Sequence, residues 1–239
     1  MRSGLVLYGP RRIGKTSLIR SLAVLGHFGG DTSIVPLNLQ SINWAEGQCD
    51  LCYTLAWTLW YAQPVNDEPN PDKYDPPANP WIVLHRWLTT RPLTANRIIL
   101  ILDEYEQITD QLAPPLAQAS MTHLVQLTRE FPWLTLAVVG ATLPAQCDPV
   151  VYAPLAAWPS LLIGGVNQAA VRAILMPDAD SPQYSADALD AVYALTAGVP
   201  YLIQWLGATV IEQRDQEPTG ADPPLERVKK VPFALMISA

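Results

Sequence analysis

The stretch of sequence that decides the fold is Gly9-Pro10-Arg11-Arg12-Ile13-Gly14-Lys15-Thr16. It has the phosphate-loop pattern G-x-x-x-x-G-K-[ST] and directly follows the apolar run Leu5–Tyr8, which is typical of a strand. A loop closed by Gly9 and Gly14 lets backbone N–H groups surround an anion, and a helix beginning near Lys15 points its positive dipole end at the same place. The pattern predicts a nucleoside triphosphate site in which Lys15 bridges the β- and γ-phosphates and the Thr16 hydroxyl holds Mg²⁺.

A second motif supports this prediction. Residues 98–102 are all aliphatic, and Asp103 and Glu104 follow them directly. Such a run is typical of a strand buried on both faces of a parallel sheet, and ligands bind at the carboxyl ends of these strands. We therefore expect Asp103 to hold Mg²⁺. In a strand the next side chain points away from its neighbour, so we expect Glu104 to face the attacking water while Asp103 faces the metal. The alternative for both acids is a solvated strand end.

Composition narrows the class of protein. The chain has 239 residues, of which 49% are hydrophobic and 15% charged, so it can bury a large core. The net charge of −7 argues against a broad basic surface for nucleic acid. Three cysteines without framework spacing argue against a disulfide-stapled fold, and the lone pair Cys49 and Cys52 falls short of the about four ligands of a structural zinc site. No segment resembles a signal peptide or a membrane helix, so we expect a cytoplasmic protein.

Predicted strands and helices alternate along most of the chain, which indicates a parallel sheet wrapped by helices. Strands are predicted at 5–8, 34–39, 98–102, 134–139 and 160–163, and helices at 15–25, 51–61, 80–89 and 115–131. Pro36 favours an edge position for the second strand. Residues 64–80 form a loop rich in Pro, Asp and Asn. From Val166 the pattern changes to three helices without strands, at 167–175, 185–196 and 200–213.

These patterns predict an α/β fold, namely a P-loop NTPase three-layer sandwich with a mostly parallel sheet, followed by a small all-helical lid subdomain. The expected division is a nucleotide-binding core at 1–165, the lid at 166–214, and a polar tail at 215–239, which is either complete or truncated.

With its motifs assembled, the chain resembles the STAND and archaeal-type AAA-like P-loop ATPases over nearly its whole length. The resemblance rests on four stretches: Tyr8–Leu18 with its Gly-Pro-Arg-Arg loop, Leu102-Asp103-Glu104-Tyr105-Glu106, Val139-Gly140-Ala141-Thr142, and Tyr193–Gln204 with Gly198-Val199-Pro200. In this family the Gly-x-Pro turn lies in the helical lid, and its proline packs near the adenine. The family also carries a segment with a Gly-Arg pair before the first strand, which we expect to be missing here.

The resemblance implies roles for individual residues. Lys15 and Glu104 are the catalytic residues, with Glu104 priming water, and Thr16 and Asp103 hold Mg²⁺. The nucleotide-binding residues are Gly9, Pro10, Arg11, Arg12, Ile13, Gly14, Lys15, Thr16, Ser17, Thr142 and Pro200. Thr142 corresponds to a γ-phosphate sensor, with turn capping as the alternative. Arg129 lies where some relatives place an arginine finger, with an ordinary surface arginine as the alternative.

The function that follows is an ATP-binding, Mg²⁺-dependent ATP-hydrolysing switch module of a signalling, regulated-assembly or defence protein. Two alternatives remain: a pseudo-ATPase scaffold that holds nucleotide without turnover, and a DNA-associated initiator or loader of the AAA+ kind. The expected partners are ATP and ADP, together with proteins or further domains of the same protein. We expect no membrane partner and no nucleic acid bound by this chain alone. Assembly into a nucleotide-dependent oligomer is an alternative that the sequence does not decide.

Overall fold

The computed structural model describes residues 4–25, 32–61, 79–90, 97–178, 181 and 184–215. These residues form two compact units. The first unit comprises the described parts of Met1–Gly9 and Lys15–Leu162, and the second unit comprises Pro10–Gly14 and the described part of Ile163–Ala239. The predicted loop at 64–80, apart from its last two residues, and the predicted tail at 215–239, apart from Asp215, lie outside the described residues.

The first unit is built on a five-stranded sheet of order β2-β3-β4-β1-β5, in which all the pairings of described strands are parallel. The strands are β1 Leu5–Tyr8, β2 Thr32–Asn38, β3 Arg97–Asp103, β4 Leu134–Gly140 and β5 Ser160–Leu162. The edge position expected for β2 from Pro36 is confirmed. The buried aliphatic side chains of β3 and β4 explain why these two strands lie inside the sheet, since both of their faces are covered.

The described residues of the first unit also form six α-helices. They are α1 Lys15–Leu25, α2 Gln48–Tyr61, α3 Pro80–Thr90, α4 Gln107–Gln111, α5 Pro114–Glu130 and α6 Pro144–Cys147. The sequence predicted α1, α2, α3 and α5, but α4 and α6 are additional. Both additional helices are too short for an apolar repeat to mark them: α4 buries only Ile108, and α6 only Pro144. Helix α4 begins shortly after the end of β3, and α6 begins shortly after the end of β4. Both helices therefore shape the edge of the sheet at which these strands have their carboxyl ends.

In the part of the second unit that the structure describes there are three helices, α7 Gln168–Leu175, α8 Ala186–Thr196 and α9 Pro200–Asp215. Asn167 and Ser185, which are residue types that often precede helices, cap α7 and α8, because their side chains accept hydrogen bonds from backbone N–H groups three residues later. Apolar residues from all three helices form its core, namely Val171, Leu189, Val192, Ile203, Leu206 and Val210. None of the described helices in either unit is both long and apolar enough to cross a membrane.

The turn between α8 and α9 differs from the expectation in one detail. Glycine is the residue that most often ends a helix in a left-handed conformation, so the sequence favours Gly198 at the end of α8. Ala197 occupies that position instead with φ +49°, and Gly198 follows with φ +75°. Gly198 is still required there, because a Cβ would overlap the carbonyl oxygen of Val166. The Val166 N–H also donates to the Gly198 carbonyl at 2.8 Å. The turn is therefore held by backbone contacts as well as by glycine conformation.

Candidate nucleotide-binding site

The phosphate-loop pattern lies where the motif predicts, between the end of β1 and the start of α1. The Gly9 N–H donates to the Gly140 carbonyl of β4 at 3.2 Å, which fixes the start of the loop on the neighbouring strand. Gly14 has φ +97°, which glycine adopts at little cost. Arg12 has φ +65°, a conformation that costs an L-residue about 1 kcal/mol. Such strain inside a loop is a feature of ligand-binding segments.

Lys15 is the first residue of α1, and its side chain is buried, with 5% exposed. Its ammonium donates a hydrogen bond of 2.7 Å to the carbonyl oxygen of Gly9. A buried lysine is uncommon because its charge must be compensated. The loop thus turns the Lys15 cation inward toward the first residue of the motif.

Thr16 and Asp103 come together from elements 87 residues apart in the chain. The Thr16 hydroxyl donates to Asp103 Oδ2 at 2.7 Å, and Asp103 at the end of β3 is only 2% exposed. A hydroxyl and a carboxylate oxygen are the ligand types that Mg²⁺ takes from proteins, and it usually completes its shell with phosphate oxygens and water. The pair therefore fits the predicted magnesium site. In the described part of the chain, no group of three or more His, Cys, Asp and Glu side chains forms another metal site.

Glu104 corrects one step of the sequence argument. Strand β3 ends at Asp103, and Glu104 has φ +58°, so the alternation of side chains along a strand does not set its direction. The left-handed backbone does so instead. Its N–H lies 3.2 Å from Asp103 Oδ1 and donates to it, and its side chain is half-buried. A glutamate held in this conformation beside the Thr16–Asp103 pair is the second strained residue near the site.

Glu106 was missed as a site residue. Its Oε1 accepts hydrogen bonds from the backbone N–H groups of Ala141 at 2.5 Å and Thr142 at 3.2 Å. Its carboxylate lies over Gly140, where a Cβ would overlap both the carboxylate and the Tyr105 ring. The signal in the sequence was the second acid in Asp103-Glu104-Tyr105-Glu106 together with a glycine at the end of a buried strand.

Thr142 lies just beyond β4 and is exposed. Its hydroxyl contacts the Cys147 thiol at 2.7 Å, and its carbonyl accepts from the Tyr105 hydroxyl at 2.8 Å. Burial, followed by the nearby Cys147 and Glu106, raises the pKa of Tyr105, so that this hydroxyl stays protonated and donates. The sensor role and the turn-capping role of Thr142 both stay predictions. Arg129 is exposed in the last turn of α5, and its role as an arginine finger also stays a prediction.

Within the second unit, the middle of the phosphate loop packs on the first turn of α9. A Cβ on Gly14 would lie 3.7 Å from Cγ of Pro200, the first residue of α9. The Arg12 guanidinium lies over the Tyr201 ring, 4.4 Å from its centroid, which is a cation–π contact. The remaining predicted loop residues differ in burial: Pro10, Arg11 and Ser17 are exposed, and Ile13 is buried.

Comparison with known proteins supports the fold. No protein-family model and no curated protein matches the sequence. The chain is similar to three solved structures: Cdc6p of Pyrobaculum aerophilum (17% identity, TM-score 0.57), the Walker-type ATPase of Pyrococcus abyssi (14%, 0.61), and the Orc1 protein of Aeropyrum pernix in complex with DNA (17%, 0.51). The chain has the α/β P-loop NTPase fold. These matches cover 89%, 96% and 95% of the chain but only 55%, 65% and 59% of the three structures, so it spans less than two thirds of their length.

Proposed function

We propose that this chain binds ATP with Mg²⁺ and hydrolyses it as the switch module of a signalling, regulated-assembly or defence protein. The observation that carries the proposal is the 2.7 Å contact between Thr16 Oγ1 and Asp103 Oδ2. It joins the last residue of the phosphate-loop pattern to the acid at the end of β3. If either motif were a chance match, Thr16 and Asp103 would have no reason to lie in contact. Two ligands of one metal ion must lie close together.

The other loop residues fit the same function. Lys15 takes the β- and γ-phosphates in exchange for the Gly9 carbonyl that its ammonium contacts here. Thr16 and Asp103 would hold Mg²⁺, which would supply positive charge beside the phosphate oxygens. Glu104 accepts the proton of the attacking water, which is the part of the chemistry that needs a carboxylate. ATP, ADP and Mg²⁺ are thus the ligands that we assign to the site.

The switch part of the proposal rests on the contacts of the loop with α9. Phosphate bound inside the loop changes the surroundings of Gly14 and Arg12, which contact Pro200 and Tyr201. These contacts then form or break according to the nucleotide that is bound, and this biases the position of α9. The output would reach partner proteins or further domains through the helices of the second unit.

Isothermal titration calorimetry with MgATP tests binding. Lys15→Ala removes the cation expected at the β- and γ-phosphates, so we expect affinity to fall at least tenfold, which is ~1.4 kcal/mol. Arg20→Ala is the matched control, because Arg20 is an exposed cation on the same helix. Equal affinity for the parent protein and Lys15→Ala, or no affinity in the parent protein, would refute the proposal.

A DNA-associated initiator function is the second candidate, favoured by the similarity to the Orc1 protein that was solved with DNA. The net charge of −7 weakens it, because most of the affinity of a protein for DNA comes from contacts between its cations and the phosphates. Fluorescence anisotropy with duplex DNA decides between the two candidates. We expect no binding at about 200 mM salt with or without MgATP, whereas salt-sensitive binding with a low micromolar Kd or tighter would favour the initiator function.

A further inference from the structure

We propose that Glu106 is a positioning residue of the nucleotide site. One carboxylate oxygen fixes the Ala141–Thr142 turn beside the phosphate loop, and the other accepts a hydrogen bond from a donor that reaches it only as the bound nucleotide reacts. The proposal rests on the ATPase function proposed above for its second half. Its first half, the fixed turn, concerns the protein without nucleotide.

The first argument is that Glu106 does not serve its own helix. Glu106 is the residue that precedes α4, with φ −58° and ψ −24°. Its side chain makes no capping hydrogen bond to this helix. An acid at this position would ordinarily cap the free N–H groups of the helix. The carboxylate instead reaches 35 and 36 residues along the chain to accept from the N–H groups of Ala141 and Thr142. Its role therefore lies at the end of β4.

The second argument is that this contact continues into the phosphate loop. Gly140, which directly precedes the turn held by Glu106, pairs with Tyr8 across the sheet and accepts from the Gly9 N–H at 3.2 Å. Gly9 in turn accepts from the Lys15 ammonium at 2.7 Å. Glu106 is thus linked to the proposed phosphate-binding lysine by a short chain of side-chain and backbone hydrogen bonds, all within the first unit. A shift of the Ala141–Thr142 turn would move the start of the loop as well.

The third argument is the second carboxylate oxygen. Glu106 Oε2 is buried and has no hydrogen-bond partner among the described residues. A buried carboxylate oxygen without a donor is costly, and proteins normally satisfy such atoms. If Glu106 were only a clamp for two N–H groups, Oε1 alone would suffice, because it accepts both. The unsatisfied Oε2 therefore points to a donor that arrives as the bound nucleotide reacts.

Glu106→Gln separates the two oxygens. Its amide oxygen can keep the contacts of Oε1, but its NH₂ group replaces an acceptor with a donor at the position of Oε2. A flipped amide would not avoid this change, because its NH₂ group would then face the N–H groups of Ala141 and Thr142, which are donors as well. We expect the dissociation constant for MgATP to stay within about twofold. We expect kcat to fall at least about tenfold, because the donor that should meet Oε2 during the reaction is no longer held in place. Asp110→Asn, an exposed acid on α4, should match the parent protein.

Equal kcat for Glu106→Gln and the parent protein would overturn the role of Oε2. A parallel loss of affinity and kcat in Glu106→Gln would also overturn it, because uniform loss indicates a folding or binding defect rather than positioning. Circular dichroism and thermal melting of Glu106→Gln exclude an unfolded variant as the cause of a lower rate.

A measurement without turnover tests the fixed turn separately. Cys147 is exposed, and its thiol contacts the Thr142 hydroxyl, so its rate of reaction with a small thiol reagent reports on the turn. Peptide mass spectrometry distinguishes it from Cys49 and Cys52. Without nucleotide, we expect labelling of Glu106→Ala to be at least about threefold faster than that of the parent protein, because the turn opens locally. Glu106→Gln should label at the parental rate.

An unchanged labelling rate in Glu106→Ala would overturn the clamp, whatever the protein does with ATP. Failure of the parent protein to bind MgATP in calorimetry would instead refute the ATPase function and, with it, the role of Oε2. The two failures are therefore distinguishable.

Discussion

Two residues in left-handed conformations, Glu104 in the first unit and Ala197 in the second, show how differently the two regions use backbone strain. Ala197 ends α8 with φ +49°, and its N–H donates to the Tyr193 carbonyl at 2.9 Å. This is the common way for a helix to end, and its hydrogen bonds are local. Glu104 has φ +58° directly after a strand, where no helix end requires it.

At Glu104 the strain is held by contacts from distant segments. Its neighbour Tyr105 donates its N–H to the Val139 carbonyl at 3.2 Å and its hydroxyl to Thr142. Its other neighbour, Asp103, is fixed by Thr16. A left-handed residue costs about 1–2 kcal/mol, so these contacts must over-determine the backbone there. On the function proposed above, strain at Glu104 would position the carboxylate that accepts the proton of water, whereas strain at Ala197 only closes a helix. Substitutions at Glu104, Gly140 and Ala197 test this comparison.

The largest effect is expected for Glu104→Gln. The amide keeps the size of the side chain but cannot accept the proton of water, so we expect ATP affinity to be retained and the rate to fall about 10²-fold. Phosphate release under saturating MgATP measures the rate, and Glu46→Gln, an exposed acid far along the chain, is the control. An unchanged rate would give Glu104 a purely structural role like that of Ala197. Binding without turnover in the parent protein would support the pseudo-ATPase alternative.

The second effect concerns stability at the carboxyl end of β4, where Gly140 lies. Gly140→Ala places a methyl group into the Glu106 carboxylate and the buried Tyr105 ring, so we expect the free energy of unfolding to fall by about 1–3 kcal/mol, as in an overpacked core. Gly164→Ala in the second unit is the matched control, because a Cβ there meets no atom within 4 Å. Chemical denaturation monitored by tryptophan fluorescence measures both. Equal midpoints for the two variants would show that the Gly140 position tolerates a side chain.

The same comparison explains what the sequence could predict. The strands β1, β3 and β4, the helix caps at Asn167 and Ser185, and the phosphate loop depend on neighbouring residues, so local patterns indicate them. The helices α4 and α6 were missed because each spans little more than one turn. The conformation of Glu104 and the contacts of Glu106 depend on β4, which lies more than 30 residues away in the chain. The second acid of the motif and the glycine that ends β4 mark the two sides of the Glu106 contact in the sequence, but no local pattern shows that they meet.

The smallest effect is expected for Ala197→Gly, and its sign is opposite. Glycine adopts φ +49° without the steric cost that alanine has there, about 1 kcal/mol, but it also adds about 0.5 kcal/mol of conformational entropy to the unfolded chain. The net expectation is a gain of about 0.5 kcal/mol in the free energy of unfolding, measured by the same denaturation experiment. ATP affinity and turnover should not change, because Ala197 is exposed and its hydrogen bonds stay within the end of α8. Glu104→Gly provides the contrast: it removes a similar backbone cost at φ +58° but deletes the carboxylate, so turnover should be lost whatever happens to stability. If Ala197→Gly also lowered turnover while leaving the fold intact, the turn before α9 would belong to the catalytic cycle, and the distinction between the two strained residues would fail.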